Sequence, residues 1–178
     1  GVVWISSTEI SVGTINNCAG ANSGCKSGYT NSTSWVNNNA PGNDGGFLYT
    51  GWDGSWKHIA ITITSNEVAT LYIDGVFFDS AQLSADGCMS ATTIGTIGRH
   101  NVYGNSLEGD IAEVRMSSAI EYTSGFTPQY PLPVTNNTEV LYGLQNDYGL
   151  NVVTDDSGNG INGTLNGTTW DLGGPDCP

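Results

Sequence analysis

The residues most able to do chemistry fall into an Asp/Asn turn, an acidic triplet and a set of loop aromatics. Asp155, Ser157, Asn159 and Gly160 form D-x-S-x-N-G, the first half of a calcium loop of the EF-hand kind. Oxygen ligands at alternate positions of a tight turn converge on one point, and the glycine permits the bend. The twelfth position is Asn166 rather than Glu, which excludes a helix-loop-helix EF-hand. An Asx-turn hairpin without metal is the competing reading. Glu108, Asp110 and Glu113 place three acids within six residues. Paired carboxylates are the groups of glycoside hydrolysis. Strand alternation, however, puts Glu108 and Asp110 on one face and Glu113 on the other unless a bulge intervenes. Trp35, Tyr49, Trp52 and Tyr103 sit in or beside Gly/Asn-rich loops, where rings can stack on apolar sugar faces. Asn37, Asn38, Asn43 and Asp44 are placed to bond hydroxyls. Neither His58 nor His100 neighbours a Ser or Cys in a nucleophile arrangement. His58 is expected to pack beside Trp56, itself expected in the core.

The elements that must carry these residues read as short strands. Residues 2–6 and 9–13 are β-branched runs around a Ser-Thr turn. Residues 16–46 are a long polar tract, unusual inside a compact domain unless functional or stapled. Residues 56–64 alternate, with Trp56, His58, Ala60 and Thr62 on one face and Ile59, Ile61 and Ile63 on the other. Residues 68–74 return, Asp74-Gly75 signals a hairpin, and 76–82 continue the meander. Residues 92–98 and 109–116 are two further strands. Pro128, Pro131 and Pro133 then make PQYPLP a linker or strap, since proline removes ladder donors. Residues 139–145 and 163–172 read as strands again. Period-two patterning with frequent turns predicts an all-β, two-sheet antiparallel sandwich; a barrel fits the same strands.

Composition narrows the function class. The 178 residues include 17 acids against four Lys and Arg, a formal charge of −13. Such a surface repels nucleic acid and anionic membranes and attracts divalent cations. No stretch approaches the ~18 apolar residues of a membrane span. The chain starts at Gly1 rather than Met, which suggests a mature or excised piece. Four cysteines allow three pairings; the short loop favours Cys18–Cys25, leaving Cys88–Cys177. Zinc has no C-x-x-C pair to hold it. Sequons at Asn31, Asn136, Asn162 and Asn166 are compatible with secretion. The expected location is extracellular or at the cell surface.

WKHIAITITSNEVATLYIDGV resembles the laminin-G-like jelly rolls of the concanavalin A-like lectin/glucanase superfamily. TIGTIGRH (93–100), LEGDIAEVRMSSAIEYTSGFTP (107–128) and DDSGNGINGTLNGTTW (155–170) agree in order. The resemblance implies a jelly roll with calcium near the last segment, pointing to Asp156, Asn159 and Asn162, with a further acid from the strand of Asp110 and Glu113. The E-x-D-x-x-E spacing is similar to that of laminarinase-type β-glucanases. There the acidic strand precedes the hairpin, and here it follows, which argues against catalysis. The D-S-G-N segment usually opens the domain in this family but here closes the chain. The sandwich is therefore either circularly permuted, continued in a next repeat, or completed by strand exchange. The expected division is a jelly-roll body at 1–133 and a C-terminal strand segment at 134–178.

The resulting expectation is a non-catalytic binding module for a glycan or glycoprotein. Its site residues are Trp35, Tyr49, Trp52, Tyr103, Asn43 and Asp44, and its calcium ligands are Asp155, Asp156, Asn159, Asn162 and Glu113. The alternatives are a subunit of an adhesin, pilus or extracellular filament that self-associates in cell adhesion, and a β-glucanase-like hydrolase. No nucleic acid and no membrane insertion are expected.

Overall fold

A computed structural model describes the backbone of residues 2–5, 9–13, 35–36, 46–48 and 82, and residues 51–66, 68–81, 97–98, 107, 109–171 and 173–175 in full. Cys18, Cys25, Cys88 and Cys177 lie outside them, and so do both expected disulfides. Every strand pairing among the described residues is antiparallel, and their only helical piece is a 3-10 turn at Leu144–Asp147. The chain is therefore all-β, consistent with a sandwich. It divides into two compact units, residues 1–107 with 124–126, and residues 108–123 with 127–178.

In the first unit, β1 (Val2–Ile5), β2 (Glu9–Gly13), β3 (Trp35–Val36) and β4 (Gly46–Leu48) form a sheet in the order β1-β2-β4-β3. β5 (Ile59–Ile63), β6 (Val68–Ile73) and β7 (Val76–Gln82) form the expected meander. Asp74 and Gly75 both take positive φ, 50° and 76°, so the two-residue turn pairs Ile73 with Val76. The Asp74 carboxylate accepts the His58 N–H at 2.8 Å, and the Asp74 N–H returns to the His58 carbonyl at 2.8 Å. The central strand β6 carries the core. Leu71, Ile73 and Ala81 are buried, with Trp52, Ile59, Ile61 and Phe78 packed against them.

A register shift between Leu71 and Tyr72 gives β7 one extra residue: Leu71 faces Asp79 while Tyr72 faces Phe77. Phe78 falls in the gap and reaches the core, and Phe77 is left exposed with its edge on the Tyr72 ring. Phe126 donates to the Gly75 carbonyl at 2.9 Å and sets its ring against Tyr72 and His58.

Two expectations need correcting here. Trp56 is exposed rather than core, and Trp52 packs the core instead. The reason is local: Asp53 Oδ1 accepts the Ser55 N–H and hydroxyl, and Lys57 bonds Asp53 Oδ2, so the chain remains a turn until β5 begins at Ile59. His58 has its ring against Phe126. Of the expected strand 92–98, the described pair 97–98 is a bend.

In the second unit, β8 (Glu113–Ser117) pairs with β9 (Thr138–Gly143), and β10 (Val152–Val153) pairs with β11 (Gly163–Thr164). Thus β8, inside the expected body at 1–133, pairs with a strand of the 134–178 segment. Among the described residues of the expected strand 163–172, Gly163 and Thr164 pair. Between β8 and β9, residues 127–135 run as a strap with a cis Tyr130–Pro131 bond. It is held by side chains of β8: Glu113 Oε2 accepts the Leu132 N–H at 2.7 Å, and Arg115 Nη1 donates to the Pro133 carbonyl at 3.0 Å. Arg115 Nη2 also donates to the Tyr122 hydroxyl at 2.9 Å, with the guanidinium 5.6 Å from that ring's centre. Val140, Leu141 and Val153 supply the buried apolar side chains.

Candidate functional site

The D-D-S-G-N-G turn folds back on β9 of the same chain. The Asp156 N–H donates to the Leu141 carbonyl at 2.8 Å. Asp155, 6% exposed, accepts three backbone N–H groups: Leu141 and Ser157 on Oδ1 and Ile161 on Oδ2, each at 3.0 Å. Burial alone would raise the Asp155 carboxyl, but hydrogen bonds from Leu141, Ser157 and Ile161 outweigh it and hold the group well below the usual carboxylate range. Asn162 Oδ1 accepts the Asp155 N–H at 3.0 Å, and Asn159 Nδ2 donates to the Thr138 and Glu139 carbonyls at 3.1 and 3.0 Å. Three of the five expected metal ligands therefore act as internal staples. The Tyr142 hydroxyl closes the turn on the Ile161 carbonyl at 2.7 Å; burial and then the Asp155 charge push its pKa up.

The other two, Asp156 and Glu113, meet beside Gly143. A Cβ at position 143 would lie 2.8 Å from Asp156 Oδ2, 3.4 Å from Asn146 Nδ2 and 4.0 Å from Glu113 Oε1. A side chain there would displace the Asp156 carboxylate, while Glu113 would stay at ordinary contact distance. Asp156 Oδ2 accepts weakly from the Gly143 N–H at 3.3 Å and from Asn146 Nδ2 at 3.4 Å. Burial raises the Glu113 carboxyl above its ordinary value; the Leu132 N–H opposes this, and the Asp156 charge adds to the rise. Glu113, Tyr130, Pro131, Gly143, Gln145 and Asn146 line a cleft of about 190 Å³ at this point.

The cleft is lined by one carboxylate, Glu113, and by the side-chain amides of Gln145 and Asn146, and the Asp156 carboxylate lies beside it on Gly143 and Asn146. Glu113 is half-buried and Asp156 exposed; like charges close together repel, and a divalent cation reverses the sign of that interaction. The described residues contain no cluster of three or more His, Cys, Asp or Glu able to hold a metal, so neutral oxygens would have to complete the shell. That donor set fits calcium, which accepts carboxylate, amide and water oxygens, and does not fit zinc.

Sequence reasoning missed Gly143, Gln145, Asn146, Tyr130 and Pro131. They come from the end of β9, the 3-10 turn and the strap, which no spacing rule connects to Glu113. The proline strap and Glu113 were each visible, but not the bond between them.

The expected sugar residues are mostly beyond view. Tyr49, Tyr103, Asn43 and Asp44 lie outside the described residues, as does the side chain of Trp35. Trp52 is half-buried against the first unit's core. Of the acidic triplet, Glu108 is outside the described residues and Asp110 is exposed.

A laminin G family model, described as concanavalin A-like lectin/glucanases superfamily, matches residues 3–120. No curated protein and no solved structure matches the chain. The matched region takes in the β5–β7 meander, its Asp74-Gly75 turn and Glu113 on β8. The turn that supplies Asp156 lies beyond it. With two thirds of its length matched by that family, the chain belongs to the concanavalin A-like lectin/glucanases superfamily as a laminin-G-like, lectin-like binding domain.

Proposed function

We propose that this domain is a non-catalytic extracellular module that binds carbohydrate or glycoconjugate and is stabilised by calcium. The observation that carries the calcium part is the convergence of Glu113 and Asp156 beside Gly143, with the Glu113 carboxyl raised by burial and by its acidic neighbour. A cation there would be held by Glu113 and Asp156, with Asn146 and Gln145 as neutral oxygen donors. It would supply charge compensation to β8, β9 and the strap together, since Glu113 also holds Leu132. Asp155, Asn159 and Asn162 shape the turn that presents Asp156.

The binding role is supported by family membership and by the strongly acidic surface, which favours neutral ligands over nucleic acid and anionic lipid. Against hydrolysis stands the commitment of Glu113 to the strap, where one oxygen already accepts a backbone N–H. The test is glycan-array binding in calcium and in chelator, with a reducing-sugar assay on the same ligands. Saturable binding that weakens on chelation, with no sugar released, supports the proposal. Release of reducing sugar that is abolished in Glu113→Gln refutes the non-catalytic reading.

A further inference from the structure

Away from the carboxylate cleft, the second unit carries an apolar surface that the account so far leaves without a role. Tyr148 and Leu150 are 52% and 55% exposed. The Trp170 ring lies beside Tyr148, centroids 6.0 Å apart and planes tilted by 52°. The Trp170 indole N–H donates to the Leu150 carbonyl at 2.9 Å, so the ring's polar edge is tied down while its faces remain free of that bond.

The frame beneath these rings is stiff. Asp147 is buried and accepts the Thr154 N–H at 2.6 Å and the Thr154 hydroxyl at 2.9 Å. The Leu150 N–H closes on the Asp147 carbonyl at 2.9 Å, and the Leu165 N–H on the Asn151 carbonyl at 3.0 Å. Aromatic rings fixed in advance lose little conformational entropy on binding.

The charge of the surroundings restricts what such rings can meet. Residues 108–178 contain a single Lys or Arg, Arg115, and its guanidinium is committed to Tyr122 and the Pro133 carbonyl. Asp171, next to Trp170, is exposed and negative. Anionic sugars, phosphates and acidic lipids therefore have no counter-charge here. What fits is an uncharged ligand with an apolar face and a polar edge. Asn151 and Thr169, the chain neighbours of Leu150 and Trp170, are exposed polar residues.

We propose that Tyr148 and Trp170 form a stacking platform for a pyranose ring of a neutral glycan, using residues other than those of the Glu113 cleft. This rests on the binding-module reading and gives the sugar a place that sequence spacing did not suggest.

The test uses the whole chain on a printed panel of neutral hexasaccharides of glucose, galactose, mannose and N-acetylglucosamine, followed by titration of the best binder. Tyr148→Ala is expected to weaken binding at least ten-fold, about 1.4 kcal/mol, with an unchanged melting curve, while Tyr148→Phe keeps most of it. Because Trp170 also ties down Leu150, its variant is Trp170→Phe, expected to weaken binding several-fold with the fold retained. Wild-type binding that survives intact in both Tyr148→Ala and Trp170→Phe overturns the platform and leaves the binding-module reading standing. A wild-type chain that binds no hexasaccharide overturns both. Concentration-dependent dimers in sedimentation that vanish in Tyr148→Ala, without a sugar effect, assign the surface to a second copy of the chain and overturn the platform.

Discussion

Replacing Asp155 by alanine separates a structural carboxylate from a metal-binding one. The substitution leaves the N–H groups of Leu141, Ser157 and Ile161 without their acceptor. Each bond to a charged acceptor contributes about 1.5–3 kcal/mol net, and water entering the vacated site recovers much of it. The expected loss is about 3 kcal/mol, or roughly 6–12 °C in Tm for a chain of this size.

The effect depends on pH in a defined direction. The folded Asp155 carboxyl is held below its unfolded value, which is about 3.9. On acidification the unfolded chain therefore takes up its proton first. The stabilisation is complete above about pH 5 and is lost progressively below that, as the pH falls toward the folded value. Urea unfolding of wild type and Asp155→Ala at pH 7 and at about pH 3 should show a gap that narrows in acid. Calcium should raise the stability of both proteins alike at pH 7 if the turn survives. A loss under about 1 kcal/mol, or a gap that widens in acid, refutes the staple role.

Other substitutions probe neighbouring parts of the account. Glu113→Gln removes a carboxylate whose folded value is raised, so its cost is present above that value and disappears as the pH falls through it; in chelator at pH 7 the variant should melt higher than wild type, and no such gain in calorimetry would contradict the crowding argument. Gly143→Ala puts a methyl group against Asp156 Oδ2 and turns that carboxylate away, so the calcium response should fall at least several-fold while stability in chelator changes by under about 1 kcal/mol, read by calcium titration and calorimetry. Gly75→Ala forces a side chain into the left-handed region at the hairpin and should cost about 1 kcal/mol in urea unfolding; a neutral result would contradict the turn geometry.

The meander was legible because each of its determinants is local. Alternation over 59–63 and 68–73 and the Asp74-Gly75 turn fix faces and register without reference to the rest of the chain. Trp56 misled because periodicity carried the strand back three residues too far, across an Asp53 turn that consumes that stretch. The bulge that turns Phe78 to the core and exposes Phe77 left no mark in the alternation. In the second unit, the turn at 155–160 was recognisable from its Asx pattern, but which of its oxygens face inward depends on β9. Asp155 and Asp156 are adjacent in sequence, yet one accepts three N–H groups and the other turns toward Glu113. The pairing of β8 with β9 across the proline strap is a long-range contact, and it alone brings Glu113 to that turn.

The measurement that bears most directly on the central claim is the calcium dependence of melting. An ion that binds only the folded chain stabilises it by RT ln(1 + [Ca]/Kd). For a Kd of about 0.1–1 mM, typical of extracellular sites, about 10 mM calcium would contribute about 1.4–2.7 kcal/mol. Wild type should therefore melt several degrees higher in calcium than in chelator, and Glu113→Gln and Asp156→Asn should show no such difference. Superimposable wild-type curves, or a calcium shift that persists unchanged in both variants, would contradict the assignment of the Glu113–Asp156 cleft as the cation site.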